Sequence, residues 1–187
     1  MSAEPASPRR RVDAQRNRER ILTAAREAFG EAGEVSMAEI SRRAGVGMAT
    51  LYRNFAGRRE LLEALYADEV DALCSAAEAE EGATPGERFE IWLRRFFDYF
   101  IGKRAIASAL LEHVGGDDAV FDSNRARVMA AGEPLLVAAK RAGEVRDDLT
   151  LEQALDLTIA VAKLRGEAGY LETILQVALD GLRPRTP

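Results

Sequence analysis

Cysteine and histidine are almost absent: Cys74 and His113 are the only residues of their kinds. A lone cysteine closes no internal disulfide, and one histidine with one cysteine cannot supply the clustered ligands of a metal site. Cys74 stands among alanines in a helical pattern and reads as a packing thiol. No stretch approaches the roughly 20 apolar residues of a membrane span, and the N-terminus is polar and basic instead of apolar, so the expected location is the cytoplasm and no membrane partner is expected. Runs of β-branched residues alternating with period two are missing, as are internal repeats. There is no phosphate loop or nucleophile elbow, so no catalytic residue, metal or cofactor is expected.

What is present suits a globular protein with a real core: 47% hydrophobic and 30% charged residues. The net charge of −5 conceals an asymmetry. Up to Leu62 there are 12 basic against 8 acidic residues, and from Glu63 onward 14 against 23, so the first third carries +4 and the rest −9. Arginine outnumbers lysine 23 to 3, a preference that genome composition alone could explain. Composition does not explain why one end is basic and the other acidic.

Residues 1–12, "MSAEPASPRRRV", hold little to bury and read as a disordered basic tail. A first helix is expected from about residue 13 to Gly33, with Ile21, Leu22, Ala25, Ala28 and Phe29 on one face. "SMAE" at 36–39 has the spacing of a capping box, Ser36 accepting from the Glu39 amide while Glu39 reaches back. The second helix then runs from Met37 to about Ala44. Gly45 supplies a left-handed end, and Gly47 a tight turn into a short third helix at about 48–54. A fourth helix opens at Arg58 and runs about 20 residues, long enough at some 30 Å to leave a small head and enter a second body.

The remainder reads as helix too. Thr84, Pro85 and Glu87 start a fifth helix to about Ile101, rich in aromatics; a sixth is expected at about 104–113. "GGDD" at 115–118 breaks the chain, and Gly132-Glu133-Pro134 is expected to interrupt the next helix. Thr150 and Gln153 form another capping box, and Leu171, Ile174, Leu175, Ala178, Leu179 and Leu182 make a one-sided final stripe. The fold class is all-α: a three-helix head over 13–57, joined through a long helix to a larger helical domain over 58–187.

The stretch "GVGMATLYRNFAGRRELLEAL" at 45–65 carries the chemistry. Two helices joined by a glycine-containing turn, the second one short and exposed, form the helix-turn-helix that lays its second helix in the DNA major groove. Small residues at Gly47 and Ala49 permit close approach to bases and phosphates. Thr50 can donate to phosphate or present its methyl group to thymine, and Tyr52 can donate to phosphate. Arg53 can pair with guanine or neutralise the backbone, and Met48 offers apolar contact. Leu51 and Phe55, four apart, would hold the helix on its partners.

Residues 15–65 resemble the DNA-binding head of the TetR family of bacterial transcriptional regulators, in Phe29, Gly33, "SMAEISRRAGV", "TLYRNF" and Arg58. The resemblance implies that Ser36, with the amide of Met37, caps the second helix against a phosphate. It also implies that Met48, Ala49, Thr50, Tyr52 and Arg53 face the groove, and that Arg58 grips the DNA backbone. Where the family often has Ser-Lys this chain has Gly47-Met48, so a hydroxyl cap and one cationic contact are missing.

For the acidic remainder, the resemblance implies a ligand-binding and dimerisation domain. Phe89, Trp92, Phe96, Phe97 and Phe100 at near-helical spacing are first of all core candidates. A pocket for an unknown small-molecule effector is expected among Trp92, Phe96, Phe100 and Met129, with Tyr99 or His113 as a polar handle. The last two helices are expected to form a homodimer seam through the Leu171 to Leu182 stripe. A two-fold dimer implies a near-palindromic operator on double-stranded DNA, and the expected role is a repressor released by the effector. The alternative is a helical enzyme or small-molecule sequestering protein whose head no longer binds DNA.

Overall fold

The computed structural model describes residues 8–30, 35–79, 82–114 and 119–184, with side chains over 12–30, 35–79, 82–102 and 122–184. Eight helices occupy them: α1 (Pro8–Gly30), α2 (Met37–Ala44), α3 (Met48–Asn54), α4 (Arg58–Glu78), α5 (Pro85–Val114), α6 (Ala119–Arg141), α7 (Leu151–Ala162) and α8 (Ala168–Asp180). No strand occurs among the described residues, and the all-α reading holds.

The chain divides into two compact units. The first comprises Met1–Tyr66 and Ala105–Gly115, the second Ala67–Arg104 and Gly116–Pro187. The division falls inside α4 and α5, two turns later than the expected boundary at Arg58. In the first unit α1, α2 and α3 pack on one another in all three pairings. Ile21 and Ala25 of α1, Ile40 of α2 and Leu51 of α3 are fully buried there, which is the apolar face that the helical spacing gives.

In the second unit α7 packs on both α6 and α8. Its aromatic core belongs to α5: the rings of Phe89, Trp92, Phe96 and Tyr99 succeed one another at 6.3, 6.2 and 6.0 Å. Trp92 Nε1 donates to the Leu73 carbonyl of α4 at 3.2 Å, satisfying the one polar atom of a buried indole. The start of α5 is tied to the α6–α7 connection, because Glu144 accepts from Thr84 Oγ1 at 2.7 Å and from the Gly86 amide at 2.6 Å. Thr150 and Gln153 form the complete capping box of α7.

Several boundaries differ from expectation. Helix α1 begins at Pro8, so residues 8–12 of the expected tail are helical, while the remainder of that tail and the "GGDD" break lie outside the described residues. The fifth and sixth helices are one, α5; Gly102 alone costs too little to end a helix. Helix α6 continues through Gly132-Glu133-Pro134. Proline forfeits one ladder bond there, and Gly132 has a packing duty: a Cβ at that position would sit 2.3 Å from the Trp92 ring. Cys74 is half-buried, its thiol directed at the Arg127 carbonyl at 3.8 Å and pushed up in pKa by burial, in keeping with a packing thiol.

Candidate nucleic-acid interface and effector core

The turn between α2 and α3 is built by local hydrogen bonds. Ser36 caps α2, its hydroxyl accepting from the Glu39 amide at 3.1 Å. The expected reciprocal half of that capping box does not form. The Glu39 carboxylate instead accepts from Arg42 Nη2 at 2.6 Å and Arg43 Nε at 2.7 Å. These two guanidinium partners hold its pKa down at about 2.

Gly45 ends α2 at φ 61°, in the left-handed region, with its amide bonded to the Arg42 carbonyl. The Ser41 hydroxyl donates to the Val46 carbonyl at 2.6 Å, which fixes the next residue of the turn. Gly47, by contrast, sits at φ −73° and ψ 152° as the N-cap of α3, and a Cβ there would meet nothing within 4 Å. The expected need for glycine at a tight turn therefore applies to Gly45 and not to Gly47.

Helix α3 is amphipathic over seven residues. Leu51 and Phe55 are 0% and 2% exposed, whereas Met48 and Tyr52 are 39% and 48% exposed. Ala49 and Arg53 are also exposed and Thr50 half-exposed. Five of the residues expected to face a groove thus share the outward side of one short helix. On that side Arg53 donates from Nη2 to Thr50 Oγ1 at 2.9 Å and from Nε to the Ala49 carbonyl at 3.2 Å. The Asn54 amide closes the helix end on the Thr50 carbonyl at 2.8 Å.

Two cations brace the core from outside. Arg18 lies over the Phe55 ring at 4.6 Å, and Arg58 over the Phe29 ring at 5.2 Å. Arg58 also donates to the Val35 carbonyl, so the residue expected to grip phosphate is half-buried and already holds the approach to α2. A third, Arg20, donates to the Gly45 carbonyl at 3.3 Å. Sequence reasoning missed Arg18 and Arg20. Their signal was the "RNRER" run at 16–20, where cations recur at every second position.

The expected effector residues are placed less favourably. Trp92, Phe96 and Tyr99 are buried, with Trp92 stacked on Phe96 and Phe96 tilted against Tyr99, while Phe100 and Met129 are half-exposed. His113 lies in α5, with its side chain outside the described residues. Two clefts are described in this unit. One, of about 410 Å³, is bordered by Phe89, Glu144, Leu179 and Arg183, and the other, of about 480 Å³, by Cys74, Arg127, Ala130 and Pro134. Neither is lined by Trp92, Phe96, Tyr99, Phe100 or Met129. The aromatic run of α5 is mostly core.

The expected seam stripe divides: Leu171, Ile174 and Ala178 are half-buried. Leu175, Leu179 and Leu182 are buried within the subunit, so the period of α8 records its inward face. The large exposed apolar residues here are Leu157 of α7, Leu164 of the α7–α8 connection, and Tyr170 and Val177 of α8, the last two at 58% and 68%.

A capped helix, a left-handed glycine and a short second helix with one polar, exposed side define a helix-turn-helix module of the DNA-binding class. Comparison with known proteins identifies which class of regulator carries it. Residues 21–65 match the model for bacterial regulatory proteins of the TetR family, and residues 84–184 match the C-terminal domain of SbtR-like transcriptional regulators. A TetR transcriptional regulator from Streptomyces coelicolor is 36% identical, over 90% of this chain and 99% of that one, with a TM-score of 0.75. One from Mycobacterium vanbaalenii is 33% identical, over 93% and 99%, at 0.73. FadR from Bacillus subtilis, solved in complex with stearoyl-CoA, shares the fold at 16% identity and a TM-score of 0.61, over 88% and 99%. No curated protein matches the chain. The chain belongs to the TetR family of bacterial transcriptional regulators.

Proposed function

We propose that the chain is a sequence-specific repressor that binds a near-palindromic operator as a homodimer and is released by a small-molecule effector. The observation that carries this reading is the outward side of α3, where Met48, Ala49, Thr50, Tyr52 and Arg53 are accessible while Leu51 and Phe55 anchor the helix. These five face the major groove, flanked by Gly47 and by Ser36 and Met37 at the start of α2. Arg58 contributes chiefly by fixing the start of α2 and offers its remaining N–H groups to the backbone. The +4 charge of the first 62 residues supplies the long-range attraction that the net charge of the chain conceals.

Dimerisation uses the exposed apolar residues of α7, α8 and their connection, Leu157, Leu164, Tyr170 and Val177, beside the half-buried Leu171, Ile174 and Ala178 of the expected stripe. The effector acts in the second unit. There Phe100 and Met129 keep accessible surface, and the buried Trp92, Phe96 and Tyr99 form a packed wall behind it. An effector that favours one conformation of the dimer lowers operator affinity by the ratio of its affinities for the two states. A DNA partner places the protein's work in the cytoplasm.

Binding of the purified protein to a duplex carrying its gene's upstream region, titrated between about 50 and 200 mM salt, tests this reading. Affinity should fall steeply with salt and exceed that for an unrelated duplex. Absence of binding at the lowest salt, or equal binding to every duplex, would overturn it.

A further inference from the structure

Thr50 and Arg53 are not independent readers of DNA. The two bonds that Arg53 makes to α3, Nη2 to Thr50 Oγ1 at 2.9 Å and Nε to the Ala49 carbonyl at 3.2 Å, leave from one edge of the guanidinium. That group is a rigid plane with five N–H donors. With the Nε–Nη2 edge turned to the helix, the end-on edge, with one hydrogen each on Nη1 and Nη2, points away from it. Asn54, bonded to the Thr50 carbonyl at 2.8 Å, steadies the same turn. A long cation ordered before binding loses less freedom on contact.

We propose that Thr50 is a positioning residue: its hydroxyl, acting as acceptor, sets the plane of Arg53 so that the end-on edge meets O6 and N7 of one guanine in each half-site. A phosphate would accept an arginine in many orientations, whereas the guanine pair requires a fixed plane and rewards two parallel bonds. Specificity assigned to Thr50 by position alone would then arise through Arg53. This proposal rests on the reading of α3 as the DNA-facing helix.

The test begins by selecting the preferred duplex from a random pool with the full-length chain. Fluorescence anisotropy then compares that duplex with versions carrying 7-deazaguanine, which lacks the N7 acceptor, at single positions. The proteins are wild type, Thr50→Val, Thr50→Ser, Arg53→Lys and the Thr50→Val/Arg53→Lys double variant. Valine keeps the shape and the methyl group but replaces the hydroxyl, and with it the acceptor, by a second methyl. It should reduce the preference for the one sensitive guanine by roughly ten-fold, the scale of a bidentate base contact, with the salt slope unchanged. Serine should retain that preference, and valine should add nothing in the Arg53→Lys background.

Three results would overturn the proposal: a valine effect at another base pair that persists without Arg53, a uniform loss with a shallower salt slope, or no effect. Matching unfolding midpoints keep a folding defect from passing for any of these. If the wild type enriches no sequence, the reading of α3 fails and the proposal with it, an outcome distinct from failure of the Thr50–Arg53 contact alone.

Discussion

The indole of Trp92 lies so close to Gly132 that a methyl group on that glycine would stand 2.3 Å from the ring. The contact joins α5 to α6 inside the second unit and fixes the ring whose Nε1 is bonded to Leu73. A residue that looks like a helix breaker is therefore the seat of the largest side chain in the core.

Gly132→Ala should destabilise the protein by about 1–3 kcal/mol, the usual cost of overpacking a filled core. Trp92 is the only tryptophan, so denaturant unfolding followed by its fluorescence reads the affected site directly. An unchanged midpoint would show that the indole can move aside.

The two glycines of the turn should respond in opposite directions. Gly45→Ala forces a side chain to φ 61°, at a cost of about 1–2 kcal/mol. Gly47→Ser places a hydroxyl cap where backbone and space already permit it, and should stabilise by a few tenths of a kcal/mol. Thermal unfolding of both variants tests the contrast, and equal losses would contradict it.

Acid should weaken the head through Glu39. Arg42 and Arg43 hold the folded carboxylate charged and lower its pKa to about 2, from an ordinary 4.5. Its folded pKa is depressed, so the stabilisation is fully present above the unfolded value and is lost as pH falls from there through about 2. The difference in unfolding midpoint between wild type and Glu39→Gln should therefore persist at neutral pH, close across that window, and shrink in high salt. A difference that stayed constant down to pH 2 would assign the effect to shape instead of charge.

The two sides of α8 should separate stability from assembly. Leu175→Ala removes a buried side chain and should cost about 2–5 kcal/mol in unfolding. Val177→Asp, at an exposed position, should leave the unfolding of the subunit nearly unchanged while shifting sedimentation from dimer to monomer at micromolar concentration. A dimer unaffected by Val177→Asp would place the seam elsewhere.

Local grammar made much of the head legible. Ser36 before Met37, a left-handed Gly45, and Leu51 and Phe55 four apart each act through neighbours in sequence, and the structure uses all of them. The half-formed box at Glu39 escaped because Arg42 and Arg43 compete for the same carboxylate with more charge than an amide offers. In the second unit the decisive partners are remote. The stripe of α8 announces an apolar face, but only the fold shows that Leu175, Leu179 and Leu182 pack within the subunit. The aromatics of α5 are equally visible as apolar, yet only the fold shows Trp92, Phe96 and Tyr99 buried in one row of ring contacts. Arg58 illustrates both limits, since Phe29 and Val35 claim it from more than twenty residues away.

Hydroxyl-radical footprinting of the wild-type protein and of Arg53→Ala on the selected duplex tests the central claim most directly. The account predicts two protected half-sites whose centres lie about 34–36 Å, or a multiple, apart, both lost in the variant under conditions where the wild type saturates. Protection that survives Arg53→Ala unchanged, or a single site without two-fold symmetry, would contradict it.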